Sequence, residues 1–199
     1  MSSTDAQTVL LADGTEATVR ALTRGDRGGV ERLYAAATPA DLYTRFFTVG
    51  TQAVAPHIAH LFGPSGATLS YLLERDGVLL GICDVEALDD ERAEIAFLVA
   101  HEAHGLGVAT LLLEHAAEEA AARGVTTFVA DVLAMNHPMI EVFRDAGFDL
   151  QVRSEHGDVS VSMSTRRTAG AVAATAARHQ HAEALRRARD VREGRRSAT

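Results

Sequence analysis

The sequence predicts an α+β chain, an α/β three-layer arrangement in which a mixed, mainly antiparallel sheet carries helices on both faces. Three observations predict it. Apolar runs of strand length follow one another across tight turns such as Asp13-Gly14, Asp76-Gly77 and Asp89-Asp90, and turns this short demand antiparallel neighbours. One long helical stretch, Gly105 to Ala122, separates the apolar runs Arg92–Ala100 and Thr126–Leu133, and a crossover of that length makes those two strands parallel. Helical stretches stand both before and after the central strands, so both faces of the sheet can be covered.

Gln7 to Ala12 and Glu16 to Leu22 form the opening hairpin around Asp13-Gly14. Thr23 and Asp26 then supply N-cap chemistry for a helix reaching Ala37, with Val30, Leu33 and Tyr34 on one face. Thr38-Pro39 starts the next helix, with Pro in its first turn, and residues 52–62 add a short third one. Three strands follow, Thr68 to Glu74, Val78 to Glu86 and Arg92 to Ala100. Within Gly105 to Ala122, Val108, Leu111, Leu112, His115 and Ala116 recur with a helical period. Asn136 to Ala146 is a helix ended by Gly147 in C-cap fashion, and Phe148–Ser154 with Val159–Met163 closes the sheet as a hairpin around Gly157.

The segment from Arg92 to His115, RAEIAFLVAHEAHGLGVATLLLEH, carries the chemistry. It reads as strand, glycine turn, helix. The first N–H groups of a helix have no intrahelical partner, and the macrodipole places partial positive charge at the same end. A pyrophosphate suits such a place, and glycines let phosphate oxygens reach the backbone. Neither the dinucleotide turn G-x-G-x-x-G nor the P-loop G-x-x-x-x-G-K-[ST] is present, and the chain contains no lysine.

His104-Gly105-Leu106-Gly107-Val108-Ala109 resembles motif A, Q/R-x-x-G-x-G/A, of the GNAT superfamily of acyl-CoA-dependent N-acyltransferases, with His104 standing where Gln or Arg is usual. Further on, Asn136-His137-Pro138-Met139-Ile140-Glu141-Val142-Phe143-Arg144-Asp145-Ala146-Gly147-Phe148 is similar to the second signature of that superfamily, an Asn followed by a helix closing on Gly-Phe. The phrase ADGTEATVRALTRGD, followed by a helix and DLYTRFF, resembles the amino-terminal region of bacterial Pat-type protein lysine acetyltransferases. The resemblance implies a GNAT-like fold, acetyl-CoA as cosubstrate, and an acceptor amine, with a protein lysine favoured and a small amine as runner-up. The two or three helices between Thr23 and residue 62 would then border the acceptor groove, and loops around residues 38–67 would set the acceptor's identity.

The resemblance also implies roles. Backbone groups of Leu98 and Val99 would meet the pantetheine arm, the amides of His104, Gly105, Leu106, Gly107, Val108 and Ala109 would hold the pyrophosphate, and Asn136 would contact the pantetheine, or cap its helix, or both. A lysine has a reference pKa near 10.4, so attack by a neutral amine calls for a base. Glu94 is a carboxylate in an otherwise apolar strand, an unpaired buried carboxylate is costly, and in Pat-type enzymes a glutamate at this strand position serves as base. Glu94 is therefore the expected catalytic residue. The alternative is a strand-end acid facing solvent.

One departure stands out. Where the family often has a Tyr to protonate the leaving thiolate, seven residues after the motif Asn, this chain has Phe143. Phe cannot donate a proton, which keeps open a second reading, a non-catalytic acyl-CoA-binding regulatory module. A third is an Arg-rich interaction scaffold with no affinity for coenzyme A.

Composition bounds the rest. With 199 residues the expectation is one domain over 1–165 and an appended Ala/Arg-rich segment over 166–199, helical or a linker, poor in large apolar side chains. Some Pat-type proteins join this domain to an acyl-CoA-synthetase-like module, and the segment would suit such a joint. Residues 1–165 hold an excess of acid and 166–199 an excess of arginine, for a net charge of −8. An acidic body argues against nucleic acid and suits a cationic acceptor. Coenzyme A is itself an anion, but diffuse charge is screened beyond about 8 Å at physiological ionic strength, whereas helix-end contacts are local and contribute about 0.3–1 kcal/mol each. No apolar run approaches a membrane span, and the start lacks the features of a signal peptide. Cytoplasmic localisation is thus expected. Cys83 alone makes no internal disulfide and reads as a small buried hydrophobe. No metal site is expected, because His101-Glu102-Ala103-His104 is one residue short of H-E-x-x-H and precedes a helix, while His57 with His60 and His179 with His181 lack a third ligand.

Overall fold

The computed structural model describes residues 6–63, 68–155 and 158–197, with side chains undescribed at 155, 158 and 193–197. The expected turn at Gly157 and part of the expected acceptor loop, residues 64–67, lie outside the described residues. The strands are β1 (Gln7–Leu10), β2 (Glu16–Ala21), β3 (Thr68–Arg75), β4 (Val78–Ala87), β5 (Arg92–Val99), β6 (Thr127–Leu133), β7 (Leu150–Glu155) and β8 (Asp158–Ser164). They form one sheet in the order β1-β2-β3-β4-β5-β6-β8-β7, antiparallel throughout except for β5 and β6. The helices are α1 (Arg27–Ala36), α2 (Pro39–Phe46), α3 (Val54–Leu61), α4 (Val108–Ala122), α5 (His137–Asp145) and α6 (Ala169–Ser197). The expected mixed sheet with helices on both faces is what forms.

Strand alternation sorts the layers. Cys83 packs its Sγ against the Leu112 carbonyl and Tyr71 sets its ring edge-on to His115, which marks the α4 face. Asp84, one residue on from Cys83, points to Arg45 of α2 and so marks the opposite face. Gly81 explains how close α4 lies to β4. A Cβ there would meet Val108 at 2.7 Å and the Leu98 carbonyl at 3.2 Å, so only glycine lets the start of α4 settle onto the strand. Leu112, Leu113, Ala116 and Ala117 complete that side of the core with no exposed surface.

Local chemistry sets the helix ends. Thr38 caps α2 in a capping box, its Oγ1 accepting from the Asp41 N–H at 3.1 Å while Asp41 Oδ2 accepts from the Thr38 N–H at 3.1 Å. Phe47 ends α2 in a left-handed conformation, φ 56°, its N–H donating to the Tyr43 carbonyl. The motif helix starts at Val108, three residues later than the Gly105 start expected from sequence, because Gly105 and Gly107 both turn left-handed at φ 78°.

The Ala/Arg segment forms α6, a 29-residue helix. It crosses the outer face of α4, where Arg178 pairs with Glu114 and the Thr175 hydroxyl donates to the same carboxylate at 2.6 Å. Farther along, Arg186 pairs with Glu16 at 2.6 Å. Among its described side chains, only Ala171 and Ala182 bury deeply, so arginine pairs supply most of its contacts. Among the described residues, no helix is long and apolar enough to cross a membrane.

Candidate active site

The site begins where two strands part company. β5 and β6 pair only at Arg92↔Thr127, Ala93↔Phe128 and Glu94↔Val129, although β5 runs on to Val99 and β6 to Leu133. Beyond that point each strand stays with its antiparallel partner, β5 with β4 as far as Val99 and β6 with β8 as far as Leu133. The parallel ladder is the weaker of the two kinds, and it is the one that opens. The result is a cleft of about 460 Å³ bordered by β5, β6, the start of α5 and the end of α2. A larger cavity of about 870 Å³ lies under α6, between β1 and α4. Glu94 and Asn136 border the smaller cleft.

Alternation decides which backbone groups face the gap. The Ala100 N–H donates to the Leu80 carbonyl at 2.9 Å, so two residues back Leu98, opposite Ile82, spends its N–H and C=O on β4. Leu98 was an expected pantetheine contact, and its backbone is turned the wrong way. Val99 and Phe97 are the residues turned towards β6. Of the two residues expected there, only Val99 turns its backbone into the gap, and Phe97 does so beside it.

The glycine turn follows at once. His101–Ala103 makes one 3-10 turn. It consumes two of the six amides expected to hold a pyrophosphate, since the His104 N–H donates to His101 at 3.2 Å and the Leu106 N–H to Ala103 at 3.2 Å. The N–H groups of Gly105, Gly107, Val108 and Ala109 find no acceptor among the described residues. These four stand at the positive end of the 15-residue α4. A Cβ at Gly105 or Gly107 would meet nothing within 4 Å, so both left-handed residues open onto free space. The Ala12 N–H donates to the Leu106 carbonyl at 3.0 Å and ties the turn to the first hairpin.

Glu94 borders the cleft at the last paired position and is exposed. It is a solvent-reached acid, as in the alternative weighed for it, yet it lines the cleft all the same. Across β4 it faces Glu86. Asp131 also borders the cleft, on β6, two residues beyond Val129 and so on the same sheet face as Glu94. Asp131 was missed from sequence, although FVADVL carries the same signal as AEIAFLV, one acid in an apolar strand.

The fully buried carboxylate is a different one. Asp84 is 6% exposed. It accepts from Arg45 Nη2 at 2.8 Å and from the Ser70 hydroxyl at 2.7 Å, with His57 Nε2 at 3.2 Å. Burial pushes its pKa up, but the bonds from His57, Arg45 and Ser70 outweigh burial and hold it below the usual carboxylate range. Arg45, Phe46 and Phe47 form the α2 wall of the cleft. The Asp84 cluster therefore locks that wall to β4. Sequence reasoning had no signal for this pairing, because its members are scattered over four elements.

Asn136 caps α5, its Oδ1 accepting from the Met139 N–H at 3.3 Å, and it also borders the cleft. Its side-chain N–H groups are not used by that cap. Phe143, 1% exposed, stacks edge-on to Phe97 with centroids 6.2 Å apart and lines the cleft floor. Phe143 itself carries no hydroxyl. Of the histidines, His57 joins Asp84 while His60 turns to Thr68 at 2.9 Å. His101 and His104 come together with Asp41.

A profile of the acetyltransferase (GNAT) family matches residues 30–148. The GNAT domain of PAT from S. lividans is 30% identical, with 80% of this chain and 96% of that chain covered and a TM-score of 0.72. At 18% identity, yncA from Salmonella typhimurium, a putative acetyltransferase solved with acetyl-CoA, covers 77% of this chain and 96% of its own at a TM-score of 0.62. The ribosomal-protein-S18-alanine N-acetyltransferase of Escherichia coli, also 18% identical, covers 76% and 96% at a TM-score of 0.56. The last two share the fold, and the first two findings extend over most of the chain, so this protein belongs to the GNAT acetyltransferase family.

Proposed function

We propose that this protein transfers an acetyl group from acetyl-CoA to a primary amine, with a protein lysine side chain as the favoured acceptor and residues 1–165 as the catalytic domain. The observation that carries the proposal is the opening between β5 and β6, together with the free amides of Gly105, Gly107, Val108 and Ala109 in the turn that follows β5. Those residues fit the cosubstrate: the amides of Gly105, Gly107, Val108 and Ala109 suit a pyrophosphate. The outward-turned backbone of Val99 and Phe97 suits an extended amide-bearing arm, and Asn136 can donate to it. His104 and Leu106 contribute through the shape of the turn, their own amides being spent. When bound, acetyl-CoA supplies an acetyl group activated as a thioester.

The remaining work falls to side chains. The acceptor arrives as an ammonium, and Glu94, Asp131 and Glu86 give its approach a negative lining. Glu94 takes the proton, directly or through water in its solvent-reached position, and frees the nitrogen lone pair for attack. The new C–N bond replaces the C–S bond, the nitrogen gives its second proton to water, and coenzyme A leaves as a thiolate. Phe143 offers it no proton, so protonation is left to water. A lysine acceptor rests on this acidic lining and on the 30% identity to the S. lividans PAT domain. A small amine would meet the same lining.

Phe143 also favours a second reading, an acyl-CoA-binding regulatory module without turnover. Amine-dependent thiol release in the presence of acetyl-CoA separates the two. We expect release with lysine-bearing acceptors, and Glu94→Gln lowers kcat by about 10²–10⁴-fold with acetyl-CoA binding intact. Acetyl-CoA binding with no release from any amine would leave only the regulatory module.

A further inference from the structure

Beyond the acyl-transfer site, three side chains from two elements converge on one point. Asp41 stands in the first turn of α2, while His101 and His104 flank the 3-10 turn before the glycines. His101 Nδ1 lies 3.8 Å from Asp41 Oδ2, and His104 Nε2 lies 3.8 Å from Asp41 Oδ1. One ligating atom from each residue falls within 4.8 Å of both others. At 3.8 Å these are not hydrogen bonds. The groups face one another without satisfying one another, which is the arrangement an atom placed between them would complete.

We propose that Asp41, His101 and His104 form a binding site for one divalent first-row transition ion, with Zn²⁺ the best fit. Zinc takes imidazole nitrogen and carboxylate oxygen at about 2.0–2.2 Å, and a tetrahedral set at that radius spaces its ligands about 3.3–3.5 Å apart. The two 3.8 Å spacings, each to a different oxygen of Asp41, exceed this by a few tenths of an ångström, and the full set lies within 4.8 Å, so closure asks for ring movements of up to about 1.5 Å. His101 and His104 are 67% and 48% exposed, and their rings are free to close that gap. Asp41 is the anchored member at 14% exposure, its Oδ2 accepting from the Thr38 N–H at 3.1 Å and from the Thr38 hydroxyl at 2.6 Å. Metal-ligating carboxylates are oriented in this way by second partners. His104 Nε2 has one competing contact, the Val99 carbonyl at 3.3 Å, which the ion would replace. Two nitrogens and one carboxylate select against Mg²⁺ and Ca²⁺, which prefer oxygen. Bound there, the ion would tie the acceptor-side helix to the coenzyme-side turn.

Titration calorimetry of the whole chain with ZnCl₂, in a non-chelating buffer, tests the site, with Co²⁺ absorption as a second reading. The expected result is one ion per chain with Kd on the order of 10⁻⁶ M and a tetrahedral Co²⁺ spectrum. His101→Ala, His104→Ala and Asp41→Asn should each weaken binding at least about tenfold, a loss of about 1.4 kcal/mol. Asp41→Asn keeps an oxygen to accept from Thr38, and unchanged thermal unfolding of each variant shows that lost binding is not lost folding. Absence of binding up to millimolar Zn²⁺ overturns the site. So does binding that survives both histidine substitutions, which would move the ion to His179 and His181 of α6.

Discussion

The two walls of the cleft are built from different materials. On the side proposed for the coenzyme the available groups are backbone: the free amides of Gly105, Gly107, Val108 and Ala109 and the outward edge of β5. On the acceptor side they are side chains: Glu94 and Asp131 in the opening, and Arg45 and Phe47 held by the buried Asp84 cluster. A backbone wall tolerates changes of side chain, provided the turn keeps its shape. On the proposed reading, His104 in place of the family's Gln or Arg leaves the amides of the turn available. A side-chain wall has no such latitude, and it is the wall that sets which amine enters.

The largest effect should come from Asp84. Asp84→Ala leaves Arg45 nearly buried with no counter-charge, and breaking a pair of this kind costs about 3–5 kcal/mol. Urea unfolding should show that loss as a lower midpoint. At a temperature where the variant stays folded, calorimetry should find acetyl-CoA affinity nearly unchanged while KM for the amine rises. If acetyl-CoA affinity falls as far as amine affinity, the two walls are not independent.

Gly107→Ala probes the other wall. Its φ of 78° is strained for any residue with a Cβ, and open space means that strain, not collision, is the whole effect. Relief of the strain swings the free amides, so acetyl-CoA should bind about tenfold more weakly, about 1.4 kcal/mol. His104→Ala, measured in metal-free buffer, should change that affinity less than threefold. A larger loss at His104 than at Gly107 would make the coenzyme wall a side-chain device after all.

This contrast also governs how much could be read from the chain itself. The sheet, its one parallel pair and the glycine turn follow from local signals: Asp-Gly turns, the period of Val108, Leu112 and Ala116, and paired glycines after an apolar run. Asn136 as a helix cap is equally local. What escaped sequence reasoning is relational. The Asp84–Arg45–His57–Ser70 cluster and the Asp41–His101–His104 cluster join residues from separate elements, and no spacing rule connects them before the chain folds. Leu98 failed for a subtler reason. Side-chain period can be read from sequence, but which way a given backbone carbonyl points depends on strand register, fixed here by Ala100 and Leu80. In α6, composition left a helix and a linker equally open, and the attachment that decides between them rests on long-range ion pairs to Glu114 and Glu16.

Acid offers the mildest test of the contrast, since amides do not titrate and carboxylates do. Asp26, at the start of α1 on the acceptor side, accepts from Arg20 at 2.8 and 2.9 Å and from Thr23. The Arg20 hydrogen bonds outweigh burial, which acts in the opposite sense, and hold its pKa at about 2. A carboxylate whose folded pKa lies below its unfolded value stabilises the fold fully above the unfolded value, near pH 4. It loses that contribution as pH falls towards the folded value. Between pH 4 and 2, Asp26 should therefore cost the native state on the order of 1–2 kcal/mol, after allowance for partial solvent screening. Asp84 adds to the loss in the same direction. Amide exchange should rise first in α1 and α2, ahead of α4 and the glycine turn, and Asp26→Asn should flatten its share of the pH dependence. If α4 opens together with α1 in wild type, the acceptor layer is no more acid-sensitive than the backbone cradle, and the side-chain pairs do not hold that wall separately.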